Sequence, residues 1–135
     1  MGLPCIANGP PVTFTAGGTI TKYAACVQNA EGTVVVAAND NDANFVGFAQ
    51  NAALVGEAVA LSRDGDITKA IAGDVNITVG CWLITDGAAG AVDIKGTTAA
   101  TAYNVVGQAL EVGDTAGDEV LVIQRPFYER ADTIA

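Results

Sequence analysis

Val46-Gly47-Phe48-Ala49, followed by Gly56-Glu57-Ala58-Val59-Ala60-Leu61, returns later in the chain as Val106-Gly107-Gln108-Ala109, followed by Gly117-Asp118-Glu119-Val120-Leu121-Val122. In each copy the glycine-acid pair suits a turn at positive φ, and the strand after it alternates so that every second residue faces a core. Upstream, Ile20-Thr21 corresponds to Ile77-Thr78, Cys26-Val27 falls near Cys81-Trp82, and Gly32 before Val34 corresponds to Gly90 before Val92. The offsets grow from 57 to 61 residues along the chain, as they do when only loops differ in length. Such a collinear series marks an internal repeat and predicts two related β units, about 19–61 and 76–122, packed into one body.

Outward from the repeat, short β-branched runs succeed one another at 20–27, 33–37, 45–49, 58–61, 75–79, 82–85, 91–94, 104–110 and 119–124. Turn signals such as Asn29-Ala30-Glu31-Gly32, Asp64-Gly65-Asp66 and Asp86-Gly87 lie between them. Strands at this spacing predict an all-β fold, a compact β-sandwich or barrel, over residues 19–126. The Ala-rich stretch 49–60 has room for a helical turn, yet Gly56 interrupts it and no 3.6-residue period is sustained. With 135 residues the chain suits a single domain with one core.

Both ends differ from this body. In residues 1–18, Pro4, Pro10 and Pro11 remove amide donors while Gly2, Gly9, Gly17 and Gly18 loosen the backbone, so an extended N-terminal arm is expected. Its apolar members, Leu3, Ile6, Val12 and Phe14, either dock on a neighbour or belong to a frayed terminus. At the other end Pro126 is read as the stop of the last strand, leaving a tail over 127–135. The adjacent aromatics Phe127 and Tyr128 suit an interface anchor or packing back on the parent domain.

The formal charge of −9 repels a phosphate backbone and argues against nucleic acid as a partner. No apolar run approaches the roughly 20 residues that span a bilayer, and the first residues lack the pattern of a signal peptide; a cytoplasmic site of synthesis is expected. Cys5, Cys26 and Cys81 are widely spaced and odd in number, which fits reduced buried thiols better than a disulfide framework or a zinc site.

Histidine is absent and Ser62 is the only serine, so one chain cannot hold a Ser-His-Asp triad, a Cys-His pair or a His-ligated zinc. Neither GxxxxGK[ST] nor GxGxxG occurs. Carboxylates remain, at Asp40 and Asp42, Asp64 and Asp66, Asp74, and Asp114, Asp118 and Glu119. Each sits beside Gly, Asn or Thr in an expected turn, where such side chains bond their own backbone. Asn39-Asp40-Asn41-Asp42-Ala43-Asn44 clusters oxygens that suit calcium, but Phe45 stands where the EF-hand loop needs glycine and Asn51 where it needs a bidentate acid. No catalytic, cofactor or metal residue is therefore assigned, and the chain is not expected to be an enzyme. Trp82, flanked by apolar residues, is read as core.

The order Val-Gly-x-Ala, gap, Gly-acid and alternating strand, with Gly80-Cys81-Trp82-Leu83-Ile84-Thr85-Asp86-Gly87 and a second Val-Gly-x-Ala, resembles the small β-rich capsid decoration (cement) proteins of tailed bacteriophages. The likeness runs from Thr19 to Pro126 and is built from common residues. It implies a homotrimer on the outer surface of the expanded capsid, clamping neighbouring major capsid subunits, with a virion location and no cofactor. It also implies that an extended N-terminal segment, here Leu3, Pro4, Ile6, Pro10 and Pro11, reaches the capsid surface. Two other classes stay open. A swivelling carrier domain would use Lys69 as its attachment site if 66–70 formed a hairpin, but no methionine flanks that lysine, which reads as an ordinary turn residue. A glycan-cleaving enzyme would need a carboxylate pair in an aromatic cleft, which one Trp and three Tyr scarcely build.

Overall fold

The fold is that of a computed structural model describing residues 12–73, 76–87, 89–96 and 101–130. No helix occurs among them; ten strands form three antiparallel sheets. They are β1 (Val12–Thr15), β2 (Ala25–Gln28), β3 (Val34–Val36), β4 (Phe45–Phe48), β5 (Ala58–Leu61), β6 (Ile67–Ile71), β7 (Trp82–Thr85), β8 (Val92–Ile94), β9 (Tyr103–Ala109) and β10 (Glu119–Glu129). The sheet orders are β1-β5, β3-β2-β4 and β6-β10-β9-β7-β8. None closes into a barrel.

Hydrogen bonds repeat along the chain as the sequence does. The bridge between Ile20 and Ala53 recurs between Ile77 and Gly113, and the parallel bridge between Ala16 and Val34 recurs between Ala72 and Val92. The pairing of Thr15 with Ala58 recurs as Ile71 with Glu119, and Val12 with Leu61 as Thr68 with Val122. Each half thus contains the same five strands. In the second they make one sheet; in the first the β1-β5 pair meets β4 through the single bridge of Ala49 with Leu61.

The repeated motifs have local causes. A Cβ on Gly47 would lie 2.6 Å from the Ser62 carbonyl oxygen, and one on Gly107 would lie 2.5 Å from that of Ile123, so only glycine lets these strands approach. Gly56 and Gly117 take φ of 86° and 97°, and the acid after each closes its turn: Leu54 N–H donates to Glu57 Oε1, as Thr115 N–H does to Asp118 Oδ2.

Each half has its own buried centre at matching positions. Ala16, Ile20, Cys26, Val34, Val59 and Leu61 fill the first; Ala72, Ile77, Leu83, Val92, Val120 and Val122 fill the second. The second centre continues into Ala25, Val27, Ala37 and Phe48, so the outer face of the β3-β2-β4 sheet closes over it. Gln50 Nε2 donates to Thr68 Oγ1 at 2.9 Å across this junction. A second junction contact is polar: Asn41 Nδ2 donates to the Ala102 carbonyl, its Oδ1 accepts from Asn104 N–H, and Thr85 Oγ1 accepts from Asp42 N–H.

Several sequence expectations are corrected. The arm expected over 1–18 ends earlier, because Val12–Thr15 pair with β5 and Ala16 belongs to the first core; residues 1–11 lie outside the described residues. The tail expected from residue 127 begins later, because β10 continues to Glu129. A one-residue register shift between Gln124 and Phe127 lets Pro126 sit at an irregularity while pairing with β9 resumes. Lys69, read as a turn residue, lies within β6, with its Nζ 4.0 Å from Glu119 Oε1. The stretches around Ile20 and Ile77, read as strand, are single bridges, and no helical turn forms in 49–60.

Candidate docking surface

An open groove of about 550 Å³ lies where the halves meet, walled by Val12 and Phe14 of β1, Phe45 and Val46 of β4, Leu61 and Pro126. Ser62, Arg63 and Asp64 form its polar side. A smaller hollow of about 210 Å³ shares Phe45 and Pro126 with it and extends to Val105, Phe127 and Tyr128. The two make one surface crossing from the first half to the end of β10.

The polar side is held from beneath. Ser62 Oγ donates to Gln124 Oε1 and accepts from Phe48 N–H, while Gln124 Nε2 donates to Asp64 Oδ1 at 3.0 Å. Gln124 is fully buried, so this network must satisfy its amide, and it fixes the loop after β5 against β10. Arg63 N–H donates to Asp66 Oδ2, closing the Asp64-Gly65-Asp66 turn. The carboxylates read as turn formers bond locally at Asp66, Asp118 and Asp42, whose Oδ1 accepts from Asn44 N–H, whereas Asp64 accepts from the side chain of the distant Gln124.

The aromatic pair sits on a strand instead of a tail. Phe127 meets Trp82 edge-to-face at 5.2 Å, which places Trp82 half-buried on the outer face of the second sheet beside the buried Ile84, Tyr103 and Val105. Phe127 remains 42% exposed and Tyr128 62%. Lys95 ties down the strand end, its Nζ 2.8 Å from Glu129 Oε1 and 5.1 Å from the Tyr103 ring centre. Phe127 thus packs back on its own domain, one of the two roles read for it, while part of its ring stays exposed. Leu3, Pro4, Ile6, Pro10 and Pro11, the residues implied to contact a capsid, lie outside the described residues.

Sequence reasoning missed the groove itself. The sequence puts Val12 and Phe14 in the expected arm and Val46 in a repeated strand motif; only folding brings them beside Pro126. Among the described residues no group of three or more Cys, Asp and Glu gathers that could hold a metal ion. Cys26 is buried, which pushes its thiol up to about 12, a backbone hydrogen bond with Ala49 partly opposing the effect. Such a thiol stays protonated and is a poor nucleophile. Cys81 lies 3.0 Å from Thr78 Oγ1.

No protein-family model matches this chain, and no curated protein matches it.

Proposed function

We propose that this chain is a structural virion protein of a tailed bacteriophage, binding the outer surface of the expanded capsid as a homotrimer and clamping neighbouring major capsid subunits. The observation that carries the reading is the distribution of side chains on the β body. Polar groups are spent on turns and on the junction between halves, while Val12, Phe14, Pro126, Phe127 and Tyr128 line a continuous surface groove. Exposed apolar surface rimmed by polar groups suits protein contact. The resemblance of the repeated motifs to decoration proteins names the partner class, and the −9 charge fits the outside of a DNA-filled shell. A clamp of this kind needs no strong single contact, because several joined copies gain by multivalency and stabilise the expanded shell by mass action.

The carrier-domain reading needs an exposed hairpin lysine, and the position of Lys69 within β6 counts against it. The test is co-sedimentation of the purified chain with expanded and unexpanded shells of the phage that encodes it. Saturable binding to the expanded form is expected; absence of binding to either form refutes the reading.

A further inference from the structure

The two halves share a pattern of hydrogen bonds but differ in what covers them. In the second half, Ala70 and Val106 are fully buried and Thr68 is 7% exposed, because the outer face of the first half's sheet lies against them. The matching positions of the first half are Phe14, Val46 and Val12, and these line the open groove, with Val12 44% exposed. The covering face is asymmetric in the same way. Ala25, Val27 and Phe48 of the first half are buried against the second. Their counterparts are Trp82, Ile84 and Gln108; Ile84 is buried beside Tyr103 and Val105 and Phe127 packs on Trp82, but among the described residues no third unit covers this face. The described residues therefore present one open socket, on the first half, and one partly exposed covering face, on the second.

The residues at these places change together. Inside the chain the junction is closed by the hydrogen bond from Gln50 to Thr68. The counterpart of Gln50 is Leu110, since Gln50 N–H bonds the Ala60 carbonyl as Leu110 N–H bonds that of Leu121. The counterpart of Thr68 is Val12. A partly buried polar pair in one junction thus corresponds to two apolar side chains, Leu110 at 36% and Val12 at 44% exposure, at the places where the same junction would form again. Other apolar side chains, among them Leu54, Val55 and Val79, are also exposed; Leu110 and Val12 differ in standing at the two matching places of one junction.

We infer that the occupant of the groove is a second copy of this chain, docked head to tail: the Trp82, Gln108 and Leu110 face of one copy seats on Val12, Phe14 and Val46 of the next. The contact repeats between chains the packing of first half on second half within the chain. It is heterologous, using two different patches, so it propagates and closes as a ring when the rotation between successive units closes. The inference concerns how copies join and does not depend on what the ring binds; shell binding, measured separately, tests the proposed function.

Native mass spectrometry of the full chain, of Val12→Asp and of Leu110→Asp provides the test. The unaltered chain should give one discrete mass of several copies, and each variant alone should be monomeric. Mixing the variants should give a one-to-one heterodimer that grows no further, because each supplies the patch the other lost and the pair has only one intact junction. Heterodimer formation also establishes that both variants are folded. A monomeric unaltered chain, whose groove would then be filled by its own residues 1–11 or by a different partner, overturns the inference. So do variants that keep the original mass, or a mixture that forms no heterodimer.

Discussion

Gln50 Nε2 and Thr68 Oγ1 meet at 2.9 Å where the two halves of the chain join, and Thr68 is buried there. Removing one partner of a partly buried hydrogen bond costs more than replacing both by apolar groups of similar shape. Thr68→Val should therefore destabilise the fold by about 1 kcal/mol. The double variant Gln50→Leu with Thr68→Val, which copies the apolar pair at Leu110 and Val12, should recover most of that loss. Urea unfolding of the three proteins at constant m-value checks this.

The repeated glycine of Val-Gly-x-Ala gives a second prediction. Gly47→Ala and Gly107→Ala each force a methyl against a backbone carbonyl of the neighbouring strand, which cannot move aside cheaply. Each should cost about 1–3 kcal/mol, the range for overpacking. Gly18→Ala serves as the control, since its added carbon would meet only Val35 Cγ1 at 3.8 Å and its backbone is unstrained. That variant should be neutral or stabilising by a few tenths of a kcal/mol. Thermal melts of the three variants separate the cases.

Much of this architecture was legible in the sequence because the repeat is written in residues with strong local requirements. Gly56 and Gly117 need positive φ, Gly47 and Gly107 permit close strands, and the acids at 57 and 118 cap their turns. The missed elements were those with conflicting local signals. Val12–Thr15 follow two prolines and precede two glycines, so β1 looked like an arm although its alternation is that of a strand. Ile67–Ile71 directly follow Asp64-Gly65-Asp66, and β6 was absorbed into the turn. Pro126 was taken as a stop, whereas a one-residue register shift carries the strand past it. The groove was not legible at all. It exists because one half covers the other and nothing among the described residues covers the first, a difference between equivalent positions that emerges only after folding.

Cys26 supplies a prediction in pH. Burial raises its thiol from an ordinary 9.0 to about 12, so the folded state holds this proton more tightly than the unfolded state does. The associated stability is complete below pH 9 and is lost as pH rises toward 12. The urea midpoint of the unaltered chain should fall more steeply over that window than that of Cys26→Ala, which has no thiol to ionise. In parallel, a thiol reagent should leave Cys26 unmodified at pH 8 until the chain unfolds. Equal slopes, or rapid native-state labelling at this position, would contradict the burial argument.

Deletion of residues 1–11 separates the β body from the segment assigned to capsid contact. The body begins at Val12, whose pairing with Leu61 is kept, so the melting midpoint should change by no more than one or two degrees, about 0.5 kcal/mol. Occupancy on expanded shells should drop at least tenfold, about 1.4 kcal/mol of attachment. Unchanged occupancy would remove Leu3, Pro4, Ile6, Pro10 and Pro11 from the contact.

The most direct measurement of the proposed function is electron cryomicroscopy of expanded shells incubated with the chain. The account predicts added density on the outer surface, at points where neighbouring capsid subunits meet, with several copies joined around a symmetry axis. Density confined to the interior, or shells indistinguishable from untreated ones at saturating protein, would contradict it.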